Sequence, residues 1–394
     1  MERELLRGER PLEWVGLRLA QAREERRATV ISLSRNLAAA GALVGVVAVA
    51  GCGSSGSSSS ASGSGGSSAT SAAAATTGSS SGSSTAAGSS APSSGSGKGK
   101  KVAIILTRPQ SSAFGVPATK AAVQIKAMGN DVTVQGGVSE ANVATTLQGY
   151  AARGYGLVLV DGAEMQQQAQ QVAATQSKTQ FVVINGNAAK APNLASATYS
   201  WEQSGFLAGI TAGLVTKSNK VSTMSSIKIP PIEGLYYGFQ QGVKAVNPQA
   251  TTVNSYMGTN DPDTGLSANL TSAQASNGND VVFTVATAAD PGVFRAAQQK
   301  GIHVIGYGTD ETNLGPKQIL TSTLVDYQGT MVHMAQLFDS GQLKPQVYTY
   351  GFKDKAFSLA PLVNMPAATA AKIKKAAAKA IAGGYPIKVL GGGA

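Results

Sequence analysis

Apolar and polar positions alternate in a regular way over only part of this chain. From Lys101 onward, short runs of consecutive apolar residues take turns with stretches of helical period. KVAIIL (101–106), LVLV (157–160) and FVVI (181–184) are continuous apolar runs of strand length. Strands buried on both faces of a parallel sheet read this way. Between them the pattern predicts a helix over 117–128, a strand at DVTVQ, a helix over 139–154 with Ser139 as N-cap and Gly154 past its end, and a helix over 164–175. The rhythm restarts after Tyr199. Helices are predicted over 201–215, 232–246 and 264–276, and strands at KVSTM, TTVNSY, DVVFTV and HVIGYG. Asp290-Pro291 reads as an N-cap followed by Pro at N1. A last helix is predicted over 366–382, its lysines on a solvated face. Two consecutive βα series predict an α/β protein of two doubly wound parallel-sheet lobes, with a ligand held at the carboxyl ends of the strands.

Upstream of Lys98 that rhythm is missing. From Gly53 to Gly97, 45 residues are drawn only from Gly, Ser, Ala, Thr and Pro. Such a stretch cannot bury enough apolar surface to offset its ordering entropy. It is expected to be a disordered tether with a root-mean-square span of roughly 35–40 Å. Before it, Leu37 to Ala50 forms an apolar run of h-region length ending in Val49-Ala50-Gly51-Cys52, which resembles the bacterial lipobox. Residues 1–51 are therefore expected to be a signal-peptide region, and 52–100 a lipidated Cys52 with its tether. Met1 to Asn36 is long for an n-region. Either the signal carries an extension, or translation starts at Val30 from a GTG codon.

Cys52 is the only cysteine, so an internal disulfide framework and a cysteine zinc site are excluded. The net charge is +11; beyond Gly51, 24 Lys and Arg stand against 15 Asp and Glu. These cations are scattered, without the aromatic–basic stripe of a nucleic-acid surface, and they suit an anionic membrane better. No phosphate loop, nucleophile elbow or zincin motif is present, so an enzyme, a metal and a cofactor are not expected. His303 reads as a strand residue and His333 as a helix residue, neither as a ligand. Polar residues instead gather at predicted strand ends: Ser112 and Phe114, Asp161, Asn185, Trp201, Asn260 and Asp310. Singly each reads as a turn or cap; together they mark a ligand cleft.

YSWEQSGFLAGITAGLVTK (199–217), YYGFQQGVKAVNP (236–248), YMGTNDPDTG (256–265) and NDVVFTVATAADPGVFRAAQQKGIHVIGYGTDE (279–311) resemble the basic-membrane-lipoprotein, or PnrA-like, family of ABC-transporter solute-binding proteins, whose ligands include purine nucleosides. The resemblance implies a type I periplasmic-binding fold with a hinge between lobes. The lobes are expected at 101–197 plus about 310–345, and at 198–309 plus about 346–394. It also implies that Phe114 stacks on a ligand ring. This chain departs from the family's pattern at Asn185 (usually Asp), Asn260 (often Phe), Gly308 (Asp) and Val325 (Lys). Gly205, Gly209 and Gly213 lie along one face of their helix, which permits close packing against a neighbour. The expected role is a lipid-anchored solute-binding protein at the outer face of the cell membrane. It would bind a small polar or nucleoside-like ligand, be monomeric, contact no nucleic acid, and work with an ABC permease and ATPase. The alternatives are a ligand-sensing lipoprotein that signals to a membrane receptor, and a surface protein that contacts other cells.

Overall fold

The computed structural model describes residues 99–112 and 115–390; the signal region, Cys52, the tether and Phe114 lie outside the described residues. The apolar runs form two six-stranded sheets. The first contains β1 (Lys101–Leu106), β2 (Asp131–Gln135), β3 (Leu157–Asp161), β4 (Gln180–Ile184), β5 (Leu194–Tyr199) and β11 (Val347–Tyr350), in the order β11-β5-β4-β3-β1-β2. Every pairing in it is parallel. The second contains β6 (Lys220–Ser225), β7 (Thr251–Tyr256), β8 (Val281–Val285), β9 (His303–Gly308), β10 (Ile319–Val325) and β12 (Phe357–Leu359), in the order β12-β10-β9-β8-β6-β7. Only β12 runs antiparallel there, against β10. Residues 157–161 and 281–285 are buried without exception, as strands covered by helices on both faces must be.

Helices fill the connections: α1 (Val116–Ala127), α2 (Val143–Ala152), α3 (Gln166–Ala173), α4 (Trp201–Val215), α5 (Pro230–Val246), α6 (Thr264–Ser276), α7 (Asp290–Lys300), α8 (Tyr327–Asp339) and α9 (Ala367–Ile381). Two predicted caps are not caps. Ser139 makes no side-chain cap bond and precedes a 3-10 turn, Glu140–Asn142, so the helix starts later. Asp290 is the first residue of α7, and its carboxyl turns inward to accept from Thr284 Oγ1. The lysines of α9 are exposed, as expected.

The chain passes between the sheets three times: at Ser200, at Asp326 and over 351–356. The segment assignments expected for the last third need correction. β10 joins the second sheet, whereas about 310–345 is expected in the first lobe; β11 joins the first, whereas about 346–394 is expected in the second. Hydrophobic period identifies a strand but not its sheet, which here is set by pairing β10 to β9 and β11 to β5. The crossings are tied together by Ser200 N donating to Tyr350 O (2.9 Å) and Asp326 N to Ala356 O (2.9 Å). Around them Tyr199 packs against Trp201, Tyr327, Tyr350 and Phe357 at ring-centroid distances of 5.0–6.1 Å. This aromatic cluster is built from residues of all three crossings.

Helix α4 has twelve of its fifteen residues buried, yet no helix among the described residues is long and apolar enough to cross a membrane. Its apolar surface is taken up by α5. A Cβ at Gly205 would overlap the Leu235 carbonyl, and one at Gly209 the Phe239 carbonyl; from the other side, Gly238 faces the Glu202 carbonyl and Gly242 the Phe206 carbonyl. Glycine is needed here because backbone meets backbone. The turn leaving α4 is fixed by Asp280, which accepts from Thr216 Oγ1 (2.6 Å), Lys217 N (2.7 Å) and Ser218 N (2.9 Å). Asp280→Ala removes three charge-assisted bonds and should cost about 2 kcal/mol in urea unfolding.

Candidate functional site

A cavity of about 710 Å³ lies at the carboxyl ends of the strands and is lined from both sheets. From the first sheet come Thr107, Arg108, Pro109 and Ser112 after β1, Asp161, Gly162 and Glu164 at the end of β3, and Asn185 after β4. From the second come Ser226 and Ile229 after β6, Ile232 and Leu235 of α5, Asn260, Val285 and Thr287, then Tyr307, Glu311 and Leu314. Tyr327, at the second crossing, completes the wall. The two sides differ in chemistry. The first presents mostly polar and charged groups, the second mainly aliphatic surface.

On the polar side, Arg108 Nη2 lies 3.2 Å from Glu164 Oε1, which also accepts from Thr107 Oγ1 at 2.7 Å. Gly162, at φ 149°, brings the chain past the Glu164 carboxylate, where a Cβ would collide with it. Asp161 is only 7% exposed, and no described residue donates a hydrogen bond to its carboxyl. Burial pushes that carboxyl up to about 7, with nearby Arg108 pulling down and Glu164 pushing further up. One strand over, Asn185 adopts φ 63°, and its Oδ1 is buried without a partner. Asp161 pairs with Ile184 in the β3–β4 register, so Asp161 and Asn185 stand at neighbouring strand ends. Across the cavity, the Ser226 hydroxyl is likewise buried and unpartnered.

Glu311 belongs to a second acid group. Its Oε2 accepts from Tyr307 N (3.1 Å), its backbone N donates to Ser322 Oγ (3.1 Å), and the Asp290 charge acts on it from behind the wall. Burial, then the Asp290 charge, raise Glu311 well above the ordinary carboxyl range. Tyr307 and Tyr327 both stand at the wall, and burial lifts Tyr327 to about 12.

Of the residues singled out in the sequence, Ser112, Asp161, Asn185 and Asn260 line this cavity together. Ser112 is largely occupied locally: its hydroxyl donates to Pro109 O (2.7 Å) and accepts from Gly115 N (3.0 Å). Phe114 lies outside the described residues. Trp201 is not in the lining; it is buried in the crossing cluster, against Tyr199, Tyr307 and Phe357. Asp310 is exposed and accepts from the Thr312 backbone and hydroxyl, while its neighbour Glu311 faces the cavity. Arg108, Glu164, Ser226, Tyr307 and Tyr327 were missed. Only their places next to strand ends signalled them, since each residue type is ordinary in a turn. Among the described residues, no group of three or more His, Cys, Asp and Glu is arranged to hold a metal.

The chain is similar to proteins of known kind. It is 29% identical over 233 residues to the transcriptional activator protein med of Bacillus subtilis, spanning 59% of this chain and 72% of that protein. It is 25% identical over 260 residues to the ABC transporter nucleoside-binding protein BmpA of Lactococcus lactis, spanning 61% and 72%. Against the CD4+ T-cell-stimulating antigen of Listeria monocytogenes the identity is 30% over 203 residues, 49% of this chain and about half (55%) of that protein. Among solved structures, an ABC transporter solute-binding protein from Conexibacter woesei superposes with a TM-score of 0.60 at 22% identity, over 74% of this chain and 99% of the other. A transcriptional activator of the comK gene from Bacillus halodurans gives 0.63 at 23%, over 72% and 99%. These confirm the periplasmic-binding fold of type I. A family profile described as ABC transporter substrate-binding protein, PnrA-like, matches residues 109–390, and the chain belongs to that family.

Proposed function

We propose that this chain is the lipid-anchored, extracytoplasmic solute-binding subunit of an ABC importer, and that it captures a small polar or nucleoside-like solute between its sheets. One observation carries the reading. The cavity is walled from both sheets; it is lined by Asp161, a mostly buried residue to whose carboxyl no described residue donates, and by two buried polar atoms without partners, Asn185 Oδ1 and Ser226 Oγ. Such atoms are costly to leave unpaired. A solute that satisfies them touches both sides at once, and contacts made only when the sides approach favour a closed form. Asp161, Asn185 and Asn260 are its proposed polar contacts, Ser112 lines its entrance, and Phe114 is proposed to stack on a ring. Cys52 carries the lipid, the 53–97 run spans the distance to a permease with its ATPase, and the protein acts as a monomer without catalysing a reaction.

Thermal unfolding of the purified protein against nucleosides, sugars and amides tests the ligand. A binder at a hundredfold excess over its Kd should raise Tm by about 5–10 °C; no rise from any of the three classes counts against the reading. Cys52→Ala should move the protein from the membrane fraction to the soluble one, and unchanged fractionation removes the anchor. The likeness to med, a transcriptional activator protein, favours one second reading, a regulatory role in which the chain senses a solute instead of importing it. Cells lacking the chain separate the two: an importer's loss abolishes solute accumulation, whereas a sensor's loss leaves accumulation intact and changes a response.

A further inference from the structure

The charged groups around the cavity are unevenly distributed. Among the described residues its lining includes one cation, Arg108, and three carboxyls, on Asp161, Glu164 and Glu311. The cation is engaged by Glu164 at 3.2 Å. Glu311 is engaged by the Tyr307 amide, with the Asp290 charge acting on it from behind the wall. Asp161 differs from both. It is buried to 7% exposure, it faces the cavity, and no described residue donates to it. Asn185 Oδ1, at the next strand end, is a second buried acceptor without a donor. A solute entering here meets acceptors that lack donors, and the one cation among the described lining residues is already paired with Glu164.

We propose that the cleft takes solutes that bring hydrogen-bond donors and no negative charge, and that capturing one expels a proton from Asp161. The proposal rests on the solute-binding reading above and adds the protonic part to it. The physical chain is short. A carboxyl buried without donors keeps its proton more readily than one in water, and donors from a bound solute stabilise the carboxylate instead. The groups facing Asp161 are Arg108 after β1, Glu164 after its own strand, Tyr199 at the end of β5 and Tyr327 at the start of α8. Arg108 lowers its proton affinity and Glu164 raises it, while burial, the larger effect, holds it near neutrality. The two phenols are pushed upward by burial and stay neutral at physiological pH. Binding then releases a proton below about pH 7 and none well above it. Affinity rises with pH up to that point and levels off.

The test is calorimetric titration of the full chain with inosine and with inosine 5′-monophosphate, at about pH 6 and about pH 8, in buffers of different ionisation enthalpy. Asp161→Asn is measured beside the wild type. Inosine should bind about tenfold more tightly at the higher pH, with up to one proton released at the lower. The monophosphate should bind at least about tenfold more weakly than inosine, because its charge meets like charge. Asp161→Asn should bind inosine weakly and equally at both pH values. Equal wild-type affinity at the two pH values, or a monophosphate that binds as well as inosine, overturns the proposal while leaving a solute-binding role intact. If inosine does not bind at all, the nucleoside part of the functional reading fails. The carbon resonance of the Asp161 carboxyl, followed by NMR in labelled protein, then decides the protonic part by itself. Titration near neutrality supports it, and titration in the ordinary carboxylate range overturns it.

Discussion

Gly238→Val is expected to destabilise the protein by more than about 4 kcal/mol, the range reserved for overpacking that the backbone cannot relieve. A Cβ at this position overlaps the Glu202 carbonyl, and the Cβ of Gly205, one turn away across the seam, would overlap the Leu235 carbonyl. The helices cannot separate to make room, since α4 is buried over most of its length beneath α5, α9 and the second sheet. Urea unfolding gives the loss directly. Gly149→Ala serves as the control: Gly149 lies inside α2 with nothing near its missing Cβ. Alanine there should be neutral or stabilise by about 0.5–1 kcal/mol. Similar losses at both positions would remove the close-packed seam from the account.

Asp161→Asn is expected to stabilise the ligand-free protein at about pH 8 by roughly 2–4 kcal/mol, an effect that disappears near about pH 4. The sign follows from the direction of the shift. Burial raises the folded carboxyl to about 7, whereas an unfolded Asp titrates near about 4. Between those values the folded state holds a proton that the unfolded state has lost, so the wild type is most stable below the lower value. It weakens as pH rises towards the upper one and stays level beyond it. Asparagine has the same shape and no charge to bury, so its stability curve should be flatter over that window. Denaturant unfolding across the pH range reads the difference. A wild-type curve parallel to the variant's would mean that Asp161 pays no burial cost. The same residue then links two properties, a folded state weakened at neutral pH and an acceptor ready for a solute.

Strands buried on both faces were the most legible part of the fold. KVAIIL, LVLV and FVVI need no partner to be recognised, because nothing polar interrupts them. The glycines of α4 were legible as a packing face, and Gly238 and Gly242 of α5 supply its other half. Short strands at the crossings were not legible. VYTY (347–350) and FSL (357–359) are too brief and too mixed to signal their sheet, and their positions follow from pairing to β5 and β10. The site divided along the same line. Asp161 and Asn185 follow uninterrupted apolar runs, so their place at strand ends could be read from the chain. Trp201 follows a strand too, but the aromatic residues of the three crossings surround it and turn it into core. Asp310 and Glu311 are adjacent acids in sequence. Glu311 faces the cavity and accepts from the Tyr307 amide, while Asp310 turns to the amide and hydroxyl of Thr312, a division that adjacency in sequence does not reveal.

The claim that the cleft holds a small polar solute is tested most directly by native mass spectrometry of the full chain after exposure to a metabolite extract, with Asp161→Ala in parallel. The account predicts a wild-type protein carrying one small solute that is released on denaturation, and a variant that has lost most of it. A wild-type protein that stays bare, or a variant that keeps the solute at full occupancy, would contradict it.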